Sequence, residues 1–146
     1  MREAYILCGI PGSGKSTFVK ELRHKHPYVC SFSTDDYFMV DGEYKFDPDE
    51  LPTAHKWNLR NWLKAVHHLF ESFIVCDNTN LSIAEIAPYY ASAEAYGYDV
   101  KIKQFSVFPA IAMERNIHGV PEHTIQRMAK NFENLRFPPW WKVERS

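Results

Sequence analysis

The residues from Gly9 to Thr17, GIPGSGKST, satisfy the pattern G-x-x-x-x-G-K-[ST]. An apolar run, AYILCG, precedes them, and an amphipathic segment, KSTFVKELRHKH, follows. That context lets the glycines curl the backbone so that successive N–H groups point inward, while a helix N-terminus adds its positive end. The chemistry implied is the binding of a nucleoside triphosphate through its phosphates. Gly9, Pro11, Gly12, Ser13, Gly14, Lys15, Ser16 and Thr17 form the expected nucleotide-binding set. Lys15 is expected to reach the β- and γ-phosphates, and Ser16 to offer its hydroxyl to Mg²⁺.

Moving a phosphoryl group to a hydroxyl needs a proton acceptor and positive charge on the group in transit. In an open parallel sheet, ligands gather beyond the carboxyl ends of the strands. Asp35, in STDDYF, and Asp77, in CDNTN, each follow an apolar run of strand length. Asp35 is therefore expected to act as general base toward the acceptor, and its neighbour Asp36 to cap the next segment. Asp77 is expected to orient acceptor contacts, to order water on Mg²⁺, or, as a bare strand-end aspartate, only to fix the turn. Asn78 and Asn80 read first as turn residues, with ligand contact second.

A lid must supply the remaining charge. ERNIHGVPEHTIQRMAKNFE carries Arg115 and Arg127 on either side of a short His-Gly-Val-Pro connection. Helical spacing puts Ile125, Met128, Ala129 and Phe132 on one face and Arg127, Lys130, Asn131 and Asn134 on the other. By that spacing Arg127 either reaches over the phosphates or belongs to a solvated polar face.

The elements that must position these residues alternate between strand and helix patterns. Strands are expected at AYILCG, YVCSFS, FIVCDNT and YDVKIKQFSV. LPTAHKWNLRNWLKAVHHLF places Leu59, Trp62, Leu63, Val66, Leu69 and Phe70 on one helical stripe. Ser82 and Glu85 form a capping box opening a further helix that contains Pro88. The alternation predicts an α/β fold of three layers, with a mainly parallel sheet of about four strands and a helical lid over residues 115–134. The 146 residues fit one domain, 1–146, and leave little room for the assembly elements of a motor ATPase. FIVCD has the form of a Walker B strand, but no NKxD sequence is present to read guanine.

A net charge of −1 excludes a global basic field, so any polynucleotide contact must rely on a local groove. No apolar run approaches the length of a membrane span, and MREAYILCGI is too short for a signal peptide. The three cysteines, each in a strand-like run without CxxC spacing, read as reduced packing thiols in a cytoplasmic protein. FPPWW near the end reads as a packing cap or as a neighbour of the adenine.

Together, CGIPGSGKST, STDDYF, CDNTN and ERNIHGVPEHTIQRM resemble the 5′-polynucleotide kinase family of P-loop kinases. STDDYFMVDGEYKFDPDELPTAHKWNLR is more similar still to kinase-like domains of the NEDD-four-binding protein two type. The resemblance implies ATP as donor, Mg²⁺ as cofactor and the 5′-hydroxyl of a DNA or RNA end as acceptor. By it, Asp35 matches the general base, Asp77 the carboxylate of the third strand, and Arg127 the lid arginine on the donor phosphates. Phage members of the family carry, shortly after D-D-Y, an arginine that holds the acceptor's phosphate. Phe38 stands there in this chain and is expected either to stack on a base or to pack. Arg60 is the candidate replacement contact for acceptor phosphate. Two other functions fit the same motifs: a kinase for a small hydroxyl compound or nucleoside, and a nucleotide-binding interaction module with weak ATPase activity.

Overall fold

The computed structural model describes residues 2–68, 72–116 and 119–146. Five strands form one sheet: β1 (Glu3–Cys8), β2 (Val29–Phe32), β5 (Phe73–Cys76), β6 (Asp99–Gln104) and β7 (Val143–Arg145). Their order is β2-β5-β1-β6-β7, and every pairing is parallel. A separate antiparallel hairpin joins β3 (Met39–Val40) to β4 (Glu43–Tyr44).

The helices are α1 (Lys15–Lys25), α2 (Leu51–His68), α3 (Ile83–Ala95), α4 (Pro109–Glu114) and α5 (Glu122–Asn134). Alternation along β1 sends Ala4, Ile6 and Cys8 to one face and Leu7 to the other. The first set packs with Trp62 and Val66 of α2 and with Ile86, Tyr89, Tyr90 and Ala93 of α3. Leu7 packs instead with Val19 and Leu22 of α1. Helices therefore cover both faces, as a parallel sheet requires. A third cluster, Ile10, Ala112 and Ile125, holds α4 and α5 against the loop that follows β1.

The sheet has one strand more than the four expected. Lys142-Val-Glu-Arg carries too much charge to read as a strand, but as an edge strand it needs only one apolar residue turned inward, Val143. It is delivered there by Trp141, which stacks on Tyr90 with ring centroids 4.6 Å apart. Trp141 is thus the packing cap, while Trp140 is 75% exposed. In α2, Trp62 and Val66 take the expected inward stripe, but Leu63 is 42% exposed and Asn58 is buried in its stead. Leu69 and Phe70 lie outside the described residues. Ser82 caps α3, its Oγ accepting from Glu85 N at 3.2 Å, while the return bond of the expected box shifts by one residue, Glu85 Oε2 accepting from Leu81 N at 3.1 Å; α3 carries Pro88 within its span.

Candidate active site

Because β2, β5 and β1 are neighbours, the loops leaving their carboxyl ends must meet. Those loops carry Asp35, Asp77 and the glycine-rich turn respectively. Backbone bonds lock them together: Asp77 N donates to Phe32 O at 2.8 Å, and Gly9 N to Thr79 O at 2.9 Å.

Lys15 begins α1, and its ammonium donates to Gly9 O at 2.8 Å and Ile10 O at 3.0 Å. Burial holds its pKa below the ordinary lysine value, and the charges of Asp77 and Asp35 oppose that shift. Burial raises the carboxyl pKa of Asp77, which Lys15 pulls back down and Asp35 and Asp36 push further up. Lys15 and Asp77 therefore share a poorly solvated corner and feel the charges of the exposed Asp35 and Asp36 beside it, the environment in which ionisable groups are tuned for chemistry.

Asp35 lies on a 3-10 helix, Thr34–Phe38, capped by Ser33, whose Oγ accepts from Asp35 N at 3.3 Å. Asp36 is therefore not the cap; burial and then Asp35's charge raise its carboxyl pKa, while Arg23 lowers it. Tyr44 OH donates to Asp35 Oδ1 at 3.3 Å. Behind this helix, the amide of Thr34 donates to Asn78 Oδ1 at 2.8 Å. One asparagine, adjacent to Asp77, thus anchors the segment that presents Asp35.

Asp35 opens onto a cavity of about 860 Å³. Its wall also includes Pro11 of the glycine-rich loop, Tyr44, His55, Lys56, Asn78 and Arg127. The α5 faces separate as the spacing requires, with Ile125 buried and Arg127 exposed to the cavity. Arg115 sits at the other side of the loop, Nη1 donating to Gly12 O at 3.2 Å. Gly12 has φ +80°, and a Cβ there would lie 2.9 Å from Ala112 O, so only glycine lets α4 seat this closely. Asn116 ties the start of the connection to its end, exchanging two hydrogen bonds with the backbone of Val120 at 2.6 and 3.0 Å. Ile117 and His118 of that connection lie outside the described residues.

For three candidate acceptor contacts the structure selects among the alternatives. Phe38 is 2% exposed and packed edge-on among Tyr37, Tyr44 and Phe46, so it presents no ring face to a ligand. Asn80, buried and with φ 51°, donates its amide to Leu7 O at 2.6 Å, bracing the loop after β5 against β1 while also forming part of the cavity wall. Arg60 is exposed on α2 but outside the cavity wall; Lys56, one turn earlier, faces it. Sequence reasoning passed over Tyr44, Lys56 and Asn116. Tyr44 carried a signal, since the preceding Asp41-Gly42 is a two-residue hairpin turn with both φ positive, which would have placed it on a strand beside Asp35.

The loop's chemistry fits a polyphosphate. Ser13 Oγ is buried without a hydrogen-bond partner, a donor that a phosphate oxygen would satisfy. Ser16 and Thr17 are exposed in the first turn of α1. Among the described residues no trio of His, Cys, Asp or Glu could hold a metal alone. That donor set suits Mg²⁺ arriving on phosphates, which keeps most of its waters and takes few protein ligands.

A glycine-rich loop after one parallel strand, with carboxylates beyond its neighbours, defines a P-loop kinase-like fold. Residues 5–135 match AAA_33, described as an AAA domain, and the chain belongs to that family. It is 38% identical over 134 residues to NEDD4-binding protein 2 of Homo sapiens, covering 89% of this chain and 8% of that protein. It is 26% identical over 155 residues to YLP motif-containing protein 1 of Mus musculus, covering 90% of this chain and 11% of that protein. The chain thus spans about a tenth of these relatives' length. Among solved structures, a chain of the Pnkp1/Rnl/Hen1 RNA repair complex superposes with TM-score 0.73 and 20% identity, over 90% of this chain and 44% of that one. A sugar kinase from Janibacter sp. HTCC2649 superposes with TM-score 0.68 and 16% identity, over 100% and 85%. Both likenesses establish the shared fold. Among the described residues, no helix is long and apolar enough to cross a membrane.

Proposed function

We propose that the chain is an ATP-dependent kinase that phosphorylates the 5′-hydroxyl of a DNA or RNA end. The observation that carries this reading is Asp35, held by Tyr44 and by the Asn78-anchored backbone, on an open cavity whose wall also takes in Pro11 of the glycine-rich loop and Arg127, with the charge of Asp35 felt at Lys15. Asp35 takes the proton of the acceptor hydroxyl. The acceptor oxygen bonds to the γ-phosphorus as the bond to the β,γ-bridging oxygen breaks, and ADP leaves with that electron pair. Lys15 and the inward N–H groups of the loop balance the charge on the phosphates, and Arg127 approaches the transferring group from the lid. Ser16, and Asp77 through a water, would hold Mg²⁺, which would neutralise further charge on the phosphates. Arg115, tied to Gly12, holds the outer side of the loop. The domain acts as a unit over residues 1–146 in a cytoplasmic setting.

The mixed wall of the cavity supports an extended acceptor, since Lys56 and Arg127 supply local positive charge in a chain of net charge −1. One observation favours a second reading, a kinase for a small hydroxyl compound: a volume of about 860 Å³ lies within the range of small-ligand sites. Incubation with γ-labelled ATP separates the two. Label on 5′-hydroxyl oligonucleotides supports the first reading; label only on members of a sugar and nucleoside panel supports the second. No transfer to oligonucleotides of any length, with ATP still bound, refutes the first.

A further inference from the structure

The hairpin that supplies Tyr44 does more than orient Asp35. Tyr44 and Phe46 lie two residues apart along an extended segment, so both rings project to one side while Glu43 and Lys45 project to the other. The two ring planes are within 13° of parallel, with centroids 6.3 Å apart. Each rests edge-on against buried Phe38, at 6.3 Å and 76° for Tyr44 and at 5.0 Å and 64° for Phe46. Lys45 N donates to Phe38 O at 2.8 Å, which clamps the segment to the 3-10 helix bearing Asp35. Both rings line the cavity, and Phe46 is 50% exposed although it is among the largest apolar side chains of the region.

We infer that the Tyr44 and Phe46 rings form a stacking platform for the nucleobase of the acceptor's terminal nucleoside. The inference rests on the polynucleotide reading above and names what its acceptor subsite recognises. Three features support it. The platform is built, since Phe38 and the Lys45 bond fix its height and tilt. It is tied to the reacting group, since Tyr44 OH reaches Asp35 Oδ1 at 3.3 Å. A hydroxyl delivered to that carboxylate therefore arrives with the next part of its molecule over aromatic carbon. A terminal nucleoside presents a flat π-face at that remove from its 5′-oxygen, whereas a sugar acid or polyol presents hydroxyls that ring faces cannot satisfy. Stacking is also tolerant of base identity, because every base has a π-face. Phe38 therefore acts on the acceptor indirectly, as the buried support of two rings that touch it.

The test uses 5′-hydroxyl oligonucleotides whose terminal residue carries 2-aminopurine, a normal base or no base. Wild-type protein should quench 2-aminopurine fluorescence on binding and should show a KM for the abasic acceptor raised on the order of ten-fold, with kcat little changed. Phe46→Ala should abolish the quench and raise KM for the base-bearing acceptor by a similar factor, leaving the abasic acceptor unaffected; Phe46→Trp should restore both. The exposure of Phe46 makes these variants compatible with folding, which thermal melting checks. Equal KM for abasic and base-bearing ends in the wild type, or a quench that survives Phe46→Ala, overturns the platform while leaving kinase activity standing. Absence of transfer to every oligonucleotide, with ATP bound, overturns the kinase reading, and the quench alone then decides the platform.

Discussion

Replacing Asn78 by alanine isolates the support of Asp35 from Asp35 itself. Asn78 Oδ1 is the acceptor for the Thr34 amide at 2.8 Å, and Thr34 is buried, so truncation takes the partner from a poorly solvated N–H. An orphaned buried amide costs about 1–3 kcal/mol. For a chain of this size that is a fall in Tm on the order of 5 °C. The bonds that fix the glycine-rich loop, Gly9 N to Thr79 O and Asn80 Nδ2 to Leu7 O, do not pass through Asn78. ATP affinity should therefore hold while the 3-10 helix carrying Asp35 loosens. A displacement of a catalytic group by about an ångström lowers turnover roughly 100-fold. Steady-state kinetics, calorimetric titration with ATP and thermal melting read the three quantities separately. Loss of ATP affinity in parallel with kcat would refute the reasoning, as would unchanged kcat despite the lower Tm.

Gly12→Ala forces a side chain into left-handed backbone and within 2.9 Å of Ala112 O, so it should cost at least about 2 kcal/mol and weaken ATP binding by displacing Arg115; melting and titration report both. Trp141→Ala removes the ring stacked on Tyr90 and should destabilise the fold by about 2–3 kcal/mol, whereas Trp140→Ala should stay within about 0.5 kcal/mol; urea titration compares them. Asp36 has a carboxyl pKa raised above the ordinary 3.8 in the folded state, first by burial and then by Asp35. Its contribution to stability is fully present below 3.8 and is lost as pH rises through the raised folded value. Asp36→Asn should accordingly melt higher than wild type at neutral pH, with the advantage vanishing in acid, and a constant offset at every pH would contradict that account.

The donor side was legible because backbone chemistry writes it locally: a glycine-rich turn between an apolar run and a helix start has few other uses. The meeting of Asp35, Asp77 and Lys15 was also legible, since strands of one parallel sheet share an end. The acceptor side was less so. Phe38 was expected either to face a base or to pack, and nothing in its immediate neighbours revealed that Tyr44 and Phe46 would cover it after a hairpin turn. Asn80 was readable as a turn residue, but its bond to Leu7 O spans 73 positions, beyond any local pattern. Arg60 and Lys56 lie one helical turn apart, and which of them faces the cavity depends on where α2 crosses the sheet. The fifth strand escaped notice because an edge strand at the chain's end tolerates the charges of Lys142, Glu144 and Arg145.

The central claim is that Asp35 is the base for a 5′-hydroxyl held opposite a loop-bound nucleotide. Phosphoryl transfer from γ-labelled ATP to a 5′-hydroxyl oligonucleotide, measured beside ATP affinity for wild type and Asp35→Asn, tests it most directly. The account predicts label on the oligonucleotide with the wild type and a loss of about 10²–10⁴-fold in the variant at unchanged ATP affinity. Transfer by Asp35→Asn at the wild-type rate would contradict it.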